Sequence, residues 1–428
     1  MTDPIESSGP RARRPASPLM HIAAVRRRSM AITRWVSDGH SAWWEIDRRQ
    51  LPRAGESVLE LTRARFPDLR IPLHSRWRHF EAGDFDRPAR LRHALRDSTV
   101  SDPLAALRSE IDLCVVSVLL DAGAGAQWQF RDRAGLSHQR SEGLAIASLE
   151  AFTGGRFSAH SGAPMQVDAS ALAALDEGTL AHIFQHGHSN RLSALPGRTA
   201  LMNRLGHALI RQGLDRPSAL YLPPSRSSLP GSATTGASLP LMVDAADLLH
   251  RTVTGLAEVW PEAAEAPDGA RGDLWPHPAA QDEPGLLQSG SPGWVPFHKL
   301  SQWLCYSLVE SFQAAGVTVR GLEALTALPE YRNGGLLFDT GVIRLRDPAC
   351  ARATWTPADP LVIEWRAITV TLIDDMAQGI RAALALDASS LPLACVLEGG
   401  TWTAGRRLAE RLRDGRPPIE VDTGGSVF

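Results

Sequence analysis

The segment LVIEWRAITVTLIDDM, residues 361–376, decides the fold class. Its apolar residues fall on every side of a helical wheel, which predicts a largely buried helix over 361–384. Working outward, apolar residues recur at helical spacing in 54–65, 87–96, 103–124, 140–152, 169–186, 197–213, 244–259, 297–314 and 402–413, whereas alternating β-branched runs are few. In DASALAALDEGTLAHIFQ, residues 168–185, Asp168 or Ser170 supplies an N-cap ahead of the periodic positions. The fold class is therefore mainly α, a single large helical domain over 29–428 with no internal repeat. The first 28 residues, rich in Ser, Pro and Arg, read as a disordered tail. Two Pro/Ser/Gly-rich stretches, near 216–240 and 261–293, read as inserted loops.

With 428 residues, 43% hydrophobic and 21% charged, the chain is long enough for a sizeable core. A net charge of −2 gives no basic field for a phosphate backbone, which argues against nucleic acid as a partner. Cys114, Cys305, Cys350 and Cys395 are far apart, form no Cys-x-x-Cys pair and read as reduced. No apolar run approaches the ~18 residues of a membrane span. The N-terminal segment has Arg after its short apolar piece instead of a cleavage site, so a cytoplasmic protein without membrane contact is expected.

Among 45 Lys and Arg residues a single one is lysine, Lys299, in WVPFHKLSQWLCYSLVE, residues 294–310. On the predicted helix Leu300, Leu304, Leu308 and Phe312 form one face, and Lys299, Gln302, Tyr306 and Glu310 the other. Exposed Lys and Arg exchange at little cost, so a retained ammonium points to a tight pocket that grips a phosphate or a carboxylate. The bland alternative is a chance survivor on a solvated face. In LPEYRNGGLLFDTG, residues 328–341, Glu330 and Arg332 stand beside Asn333-Gly334-Gly335, where backbone can approach a ligand closely. The competing reading is an ion pair at a helix end. Glu364 and Arg366, on the buried helix, need partners for structure or for chemistry. In LACVLEGGTWTAGRR, residues 393–407, a buried run ends in Glu398, two glycines, Trp402 and Arg406.

Two patterns mislead. VVSVLLDAGAGAQWQF, residues 115–130, has Asp121, Gly123 and Gly125 after an apolar run, as in methyltransferases and dinucleotide-binding sheets. A SAM- or dinucleotide-binding enzyme would need a third glycine, a helix directly after it and alternating strands. His182, His186 and His188 lack a nearby carboxylate, so neither metal nor cofactor is expected.

IPLHSRWRHF, VPFHKLSQWL, LPEYRNGGLLFD, VIEWRAITVTLID and LPLACVLEGGTWTAGRR together resemble the uracil-catabolism family called Urc-four or Urg-three, from about residue 30 to Phe428. The resemblance implies a place in the ring-opening route for uracil, at the step that consumes ribosylurea or its phosphate and ends in urea. More remotely, the chain is similar to the queuosine-nucleotide N-glycosylase/hydrolase family, which implies a DNA-glycosylase-like helical architecture. That likeness matches Lys299 and Gln302 to a Lys and Gln three residues apart, and Glu330, Tyr331 and Arg332 to an Asp-Tyr-Arg triplet. It also matches Glu364 and Arg366 to a Glu-x-Arg helix, Trp402 and Arg406 to a Trp-x-x-x-Arg segment, and Asp121 to an Asp near the ribose. Glu330 is one methylene longer than the family's Asp, so its reach to the sugar must differ.

The implied activity is hydrolysis of the N-ribosyl bond of ribosylurea or its 5-phosphate. Glu330 would stabilise the sugar cation or activate water, and Arg332 or a group on the Glu364 helix would help urea leave. Lys299, with Arg76 or Arg78, would hold a 5-phosphate, while Gln302, Tyr331, Asp121, Arg366, Glu398, Trp402 and Arg406 complete the substrate site. The expected partner is a small ribosyl molecule. The alternative is a non-catalytic partner of uracil-degrading enzymes, and one cavity shared by Glu330, Glu364, Lys299 and Trp402 would favour the enzyme.

Overall fold

The computed structural model describes residues 17–83, 85–98, 104–125, 127–223, 242–260, 264–280 and 291–423. Its helices are α1 (Ile22–Ser37), α2 (Leu51–Arg65), α3 (Arg76–Phe80), α4 (Arg87–Ser98), α5 (Ala105–Leu119), α6 (Arg140–Thr153), α7 (Ala169–Ala173), α8 (Glu177–Ile183), α9 (Leu195–Arg211), α10 (Ala245–Gly255), α11 (Lys299–Ala314), α12 (Tyr331–Asp339), α13 (Pro360–Leu384), α14 (Leu393–Val396) and α15 (Trp402–Arg413). The fold is mainly α, as the periodicity predicts. Among the described residues strands form only short two-stranded pieces.

The apolar wheel of 361–376 has its expected consequence: every residue of α13 from Leu361 to Ile373 is buried. It packs against α1, α2 and α12, and α12 packs in turn on α15. A second group of helices surrounds α11, which lies on α5, α10 and α3, while α5 and α3 both lie on α6. The first residue of α11, the chain leaving α5, the start of α12 and one side of α13 supply the interacting charged groups of the site described below. Among the described residues no helix is long and apolar enough to cross a membrane.

Three expectations are corrected. Residues 17–28 are not a disordered tail: they form a 3-10 turn, Pro18–Met20, and the start of α1. The buried stripe Ile22, Val25, Ser29, Ile32 and Val36 has helical spacing, but the arginines between hide it in a composition-based reading. One of those arginines, Arg28, is itself fully buried and donates to the carbonyls of Ser291 (2.9 Å) and Trp294. Residues 1–16 lie outside the described residues. The stretch 261–293 is not all loop, because Leu274–Pro276 pairs antiparallel with Trp294–Pro296 and leads directly into α11. In the first insertion Pro217–Leu220 forms a 3-10 turn, and 224–240, 261–263 and 281–290 lie outside the described residues. Finally, 169–186 is two helices, since Asp176 accepts from Thr179 N (2.9 Å) and caps α8 anew.

Gly405 lets α15 approach α12. A Cβ there would stand 2.0 Å from the carbonyl oxygen of Arg332. Gly405→Ala is expected to destabilise the protein by about 2 kcal/mol or more through overpacking. Chemical denaturation at constant m checks it.

Candidate functional site

Lys299 opens α11, and its backbone N–H donates to Asp273 Oδ2 (3.0 Å). The same carboxylate takes both arms of Arg366, Nη1 to Oδ1 at 2.8 Å and Nη2 to Oδ2 at 2.6 Å, and accepts from Trp275 Nε1 at 2.9 Å. Burial pushes Asp273 up, but Arg366 and these hydrogen bonds outweigh it and hold the carboxyl below its usual range. Arg366 also lies 4.2 Å over the ring of Phe297. The ammonium of Lys299 is thus set beside a neutralised ion pair. Burial, then Arg366, pulls it down to about 8, against Glu330, Asp273 and Asp121, which raise it. Lys299 thus interacts electrostatically with Arg366, Glu330, Asp273 and Asp121.

Glu330 is the N-cap of α12, with Oε2 accepting from Arg332 N (2.9 Å) and Oε1 from Asn333 N (2.6 Å). The helix-end reading is therefore correct as far as it goes, although the partners are amides rather than Arg332. A carboxylate has about four lone-pair positions, so two remain. Arg332 is 94% buried by difference from its 6% exposure, and its guanidinium lies 4.9 Å over Tyr331 and 5.1 Å over Trp402. Its Nη1 has no hydrogen-bond partner among the described residues. Trp402 is delivered by a π-helical turn, Leu397–Thr401, inserted between α14 and α15, a distortion common where a helix serves a site.

Asp121 lies two residues beyond α5, in the glycine-bearing loop. The carbonyls of that loop, Leu120, Ala122 (3.0 Å) and Gly123 (2.8 Å), all accept from buried Arg198. A loop whose carbonyls wrap a guanidinium presents the wrong polarity for a phosphate, and strand Gln129–Arg131 follows instead of a helix. The arrangement aims the Asp121 carboxylate at Arg76, 3.2 Å away. Arg76 is wholly buried on α3, with Nε donating to Ser117 Oγ (2.7 Å) and Nη1 to Ser141 O (3.2 Å). His79, one turn on, packs edge to face on Trp303 with centroids 5.6 Å apart. Glu142 joins the group through Arg406 (2.9 Å), whose guanidinium is 5.6 Å over Trp402. Burial raises Glu142, but His79, a backbone amide and Arg406 lower it further, to below the usual range.

Among the described residues, polar atoms without hydrogen-bond partners occur here on Arg76 Nη2, His79 Nδ1, Trp303 Nε1 and Arg332 Nη1, while Asp121 Oδ1 has only the ion pair with Arg76. Unpaired buried groups are costly, and a ligand or ordered water is their usual explanation. The arrangement sets donors of Arg76, Trp303 and Arg332 beside the carboxylates of Asp121 and Glu330.

The structure does not bring every expected residue to this place. Gln302 is fully buried, with Nε2 on Phe297 O (3.0 Å) and Oε1 on Thr326 Oγ1 (2.7 Å), a packing role. Arg78 pairs with Glu81 (2.8 Å) and Glu310 (2.5 Å). Glu398 is pinned by Arg65 (3.0 Å) and His74 (2.9 Å) behind Trp402. Glu364 binds Ser41 and stands 3.5 Å from His277, since residues two apart on a helix point to different sides and only Arg366 faces Asp273. The sequence reading missed Asp273, Glu142, His79 and Trp303. The last two sit within motifs already singled out, HSRWRHF and VPFHKLSQWL. For Asp273 the available signal was an acid directly ahead of the short apolar run LWP.

The model of a family described as a protein of unknown function, DUF1688, matches residues 18–428. The chain is 35% identical over 416 residues to Protein urg3 of Schizosaccharomyces pombe, covering 96% of this chain and 98% of that protein. It is 33% identical over 392 residues to Uracil catabolism protein 4 of Lachancea kluyveri, covering 84% of this chain and 85% of that one.

Proposed function

The chain belongs to the DUF1688 family, and from that premise we propose that it acts in uracil catabolism, as one relative's name states, by hydrolysing the N-ribosyl bond of ribosylurea or ribosylurea 5-phosphate. The observation that carries this reading is the set of buried polar atoms without hydrogen-bond partners among the described residues, on Arg76, His79, Trp303 and Arg332, beside the charges of Asp121 and Lys299. Glu364 lies apart on Ser41 and His277, so the four-residue cavity that would have favoured the enzyme is not formed. The support rests on the unpartnered donors Arg332 Nη1, Arg76 Nη2 and Trp303 Nε1 beside the Asp121 and Lys299 charges.

Breaking an N-ribosyl bond develops positive charge on the sugar and negative charge on the departing nitrogen. Asp121 and Glu330, both close enough to act on the Lys299 ammonium, supply the negative field for the sugar. The two backbone amides fix Glu330 rigidly, so no reorganisation is needed as charge develops. Lys299 and Arg332 supply positive charge for a 5-phosphate, with Trp402 and Tyr331 flanking it. Incubating purified protein with ribosylurea and with its 5-phosphate, and assaying urea, tests the reading. Absence of urea from both substrates would refute it.

Glu364 serves as an internal control. Its hydrogen bonds join α13 to Ser41, so Glu364→Gln should lower stability by about 2 kcal/mol. Urea release per folded molecule should stay within a factor of about 3, which corresponds to less than 1 kcal/mol in the barrier. A folded variant with severely reduced turnover would return Glu364 to the catalytic set.

A further inference from the structure

We propose that Arg76, His79 and Trp303 form a subsite for a planar ureido or amide group, so that Arg76 serves the leaving group and not a phosphate. The catalytic part of this proposal rests on the N-ribosyl hydrolase reading, whereas the binding part does not.

Arg76 and His79 are three residues apart on α3, and Trp303 is four beyond Lys299 on α11, which puts it on the same face as the ammonium. The Arg76 guanidinium is 5.6 Å from the Trp303 ring, and the His79 ring stands perpendicular to that ring at 5.6 Å. The three side chains are 0%, 8% and 8% exposed for Arg76, His79 and Trp303. Each offers one atom without a partner among the described residues: Arg76 Nη2, His79 Nδ1 and Trp303 Nε1. The other arms of Arg76 are fixed on Ser117, Ser141 and Asp121, so Nη2 is held in place.

The donor pattern selects the ligand. Guanidinium and indole nitrogens only donate, whereas a neutral imidazole presents one donor and one acceptor. With the His79 proton placed on Nε2, the unpartnered Nδ1 accepts. Burial first, then Arg76, pulls His79 down to about 4 against Asp121 and Glu142, so its ring is neutral at neutral pH. Two donors beside one acceptor match a carbonyl oxygen next to an N–H, the edge of a ureido group. A phosphate has no N–H for His79. In the proposed reaction the C1′–N bond breaks and its electron pair passes to nitrogen, delocalised onto the carbonyl oxygen where the Arg76 and Trp303 donors meet it. The oxygen of water adds to C1′, and a proton from that water ends on the departing ureido group, which leaves as urea.

Methylurea, with a methyl group where the ribose would be, is the probe. Equilibrium dialysis of radiolabelled methylurea against the full chain should show saturable binding. Trp303→Phe keeps the ring and loses the donor, and His79→Phe loses the acceptor. Each should weaken binding about 3- to 10-fold, the usual worth of one hydrogen bond, while inorganic phosphate binding stays unchanged. If the variants fold poorly, wild-type protein labelled with 15N-tryptophan gives a second readout, because methylurea should shift an indole N–H resonance. No saturable binding, no indole shift, equal binding by folded variants, or loss of phosphate binding in them would overturn the proposal. If methylurea binds as expected but wild type releases no urea from ribosylurea or its 5-phosphate, the hydrolase reading falls and the ureido subsite stands.

Discussion

Glu330→Gln is expected to slow urea release about 100-fold or more, the usual loss when a fixed electrostatic stabiliser of a transition state is removed. The variant also loses something structural. Gln has one oxygen for the two amides that Glu330 now serves, Arg332 N and Asn333 N, and its NH2 group must face one of them. A cost of about 1 kcal/mol in stability should therefore accompany the change. Activity has to be expressed per folded molecule, with the folded fraction taken from a denaturation curve. Glu330→Asp separates the two roles. Asp caps helices at least as well as Glu and keeps the charge, but withdraws the carboxylate by one methylene. It should keep wild-type stability and lose part of the turnover. Wild-type-like urea release by folded Glu330→Gln would remove Glu330 from the mechanism and leave Asp121 as the carboxylate facing the sugar.

The helices were largely legible because apolar periodicity is a local property, and α13 is the clearest example. Where local reading failed, the determining interaction was distant in sequence or masked by composition. The α1 stripe is masked by its own arginines, one of which, Arg28, is satisfied by carbonyls more than 260 positions away. Asp273 lies in a stretch that reads as loop, yet it meets Arg366 93 positions later. Glu364 and Arg366 illustrate the limit for the site. Burial made both conspicuous in the sequence, but a helix turns far enough in two residues that one faces Ser41 and the other Asp273. Sequence can say that each needs a partner, and it cannot say which side holds the ligand. Lys299 was legible for a different reason: its rarity is a property of the whole chain, visible without knowing any contact.

Lys299 also gives the prediction with the most distinctive pH signature. Burial and Arg366 pull its ammonium from the usual 10.5 down to about 8. Between about pH 8 and 10.5 the unfolded chain therefore holds a proton that the folded protein has released, so this residue makes stability rise with pH through that window. Its burial penalty is present in full below about pH 8. Replacing it by Met should accordingly stabilise the empty protein at neutral pH, by up to about 3 kcal/mol. Binding runs the other way. A substrate phosphate needs the protonated form, so kcat/KM for the phosphorylated substrate should fall as pH rises through about 8. In the complex the phosphate restores the proton, so the same limb in kcat should lie at higher pH. Lys299→Met should lose this limb and raise KM for the phosphorylated substrate by about 100-fold, as expected for loss of a charge-assisted contact of nearly 3 kcal/mol. Lys299→Arg keeps the charge at every pH and should also lose the limb. Its planar guanidinium, beside Arg366, needs a different set of acceptors, so its KM should rise by about 10-fold. A more stable protein that binds substrate worse is the signature of a charge kept for a ligand. A Lys299→Arg protein with wild-type stability, KM and alkaline limb would instead make the sole lysine a residue of no special use.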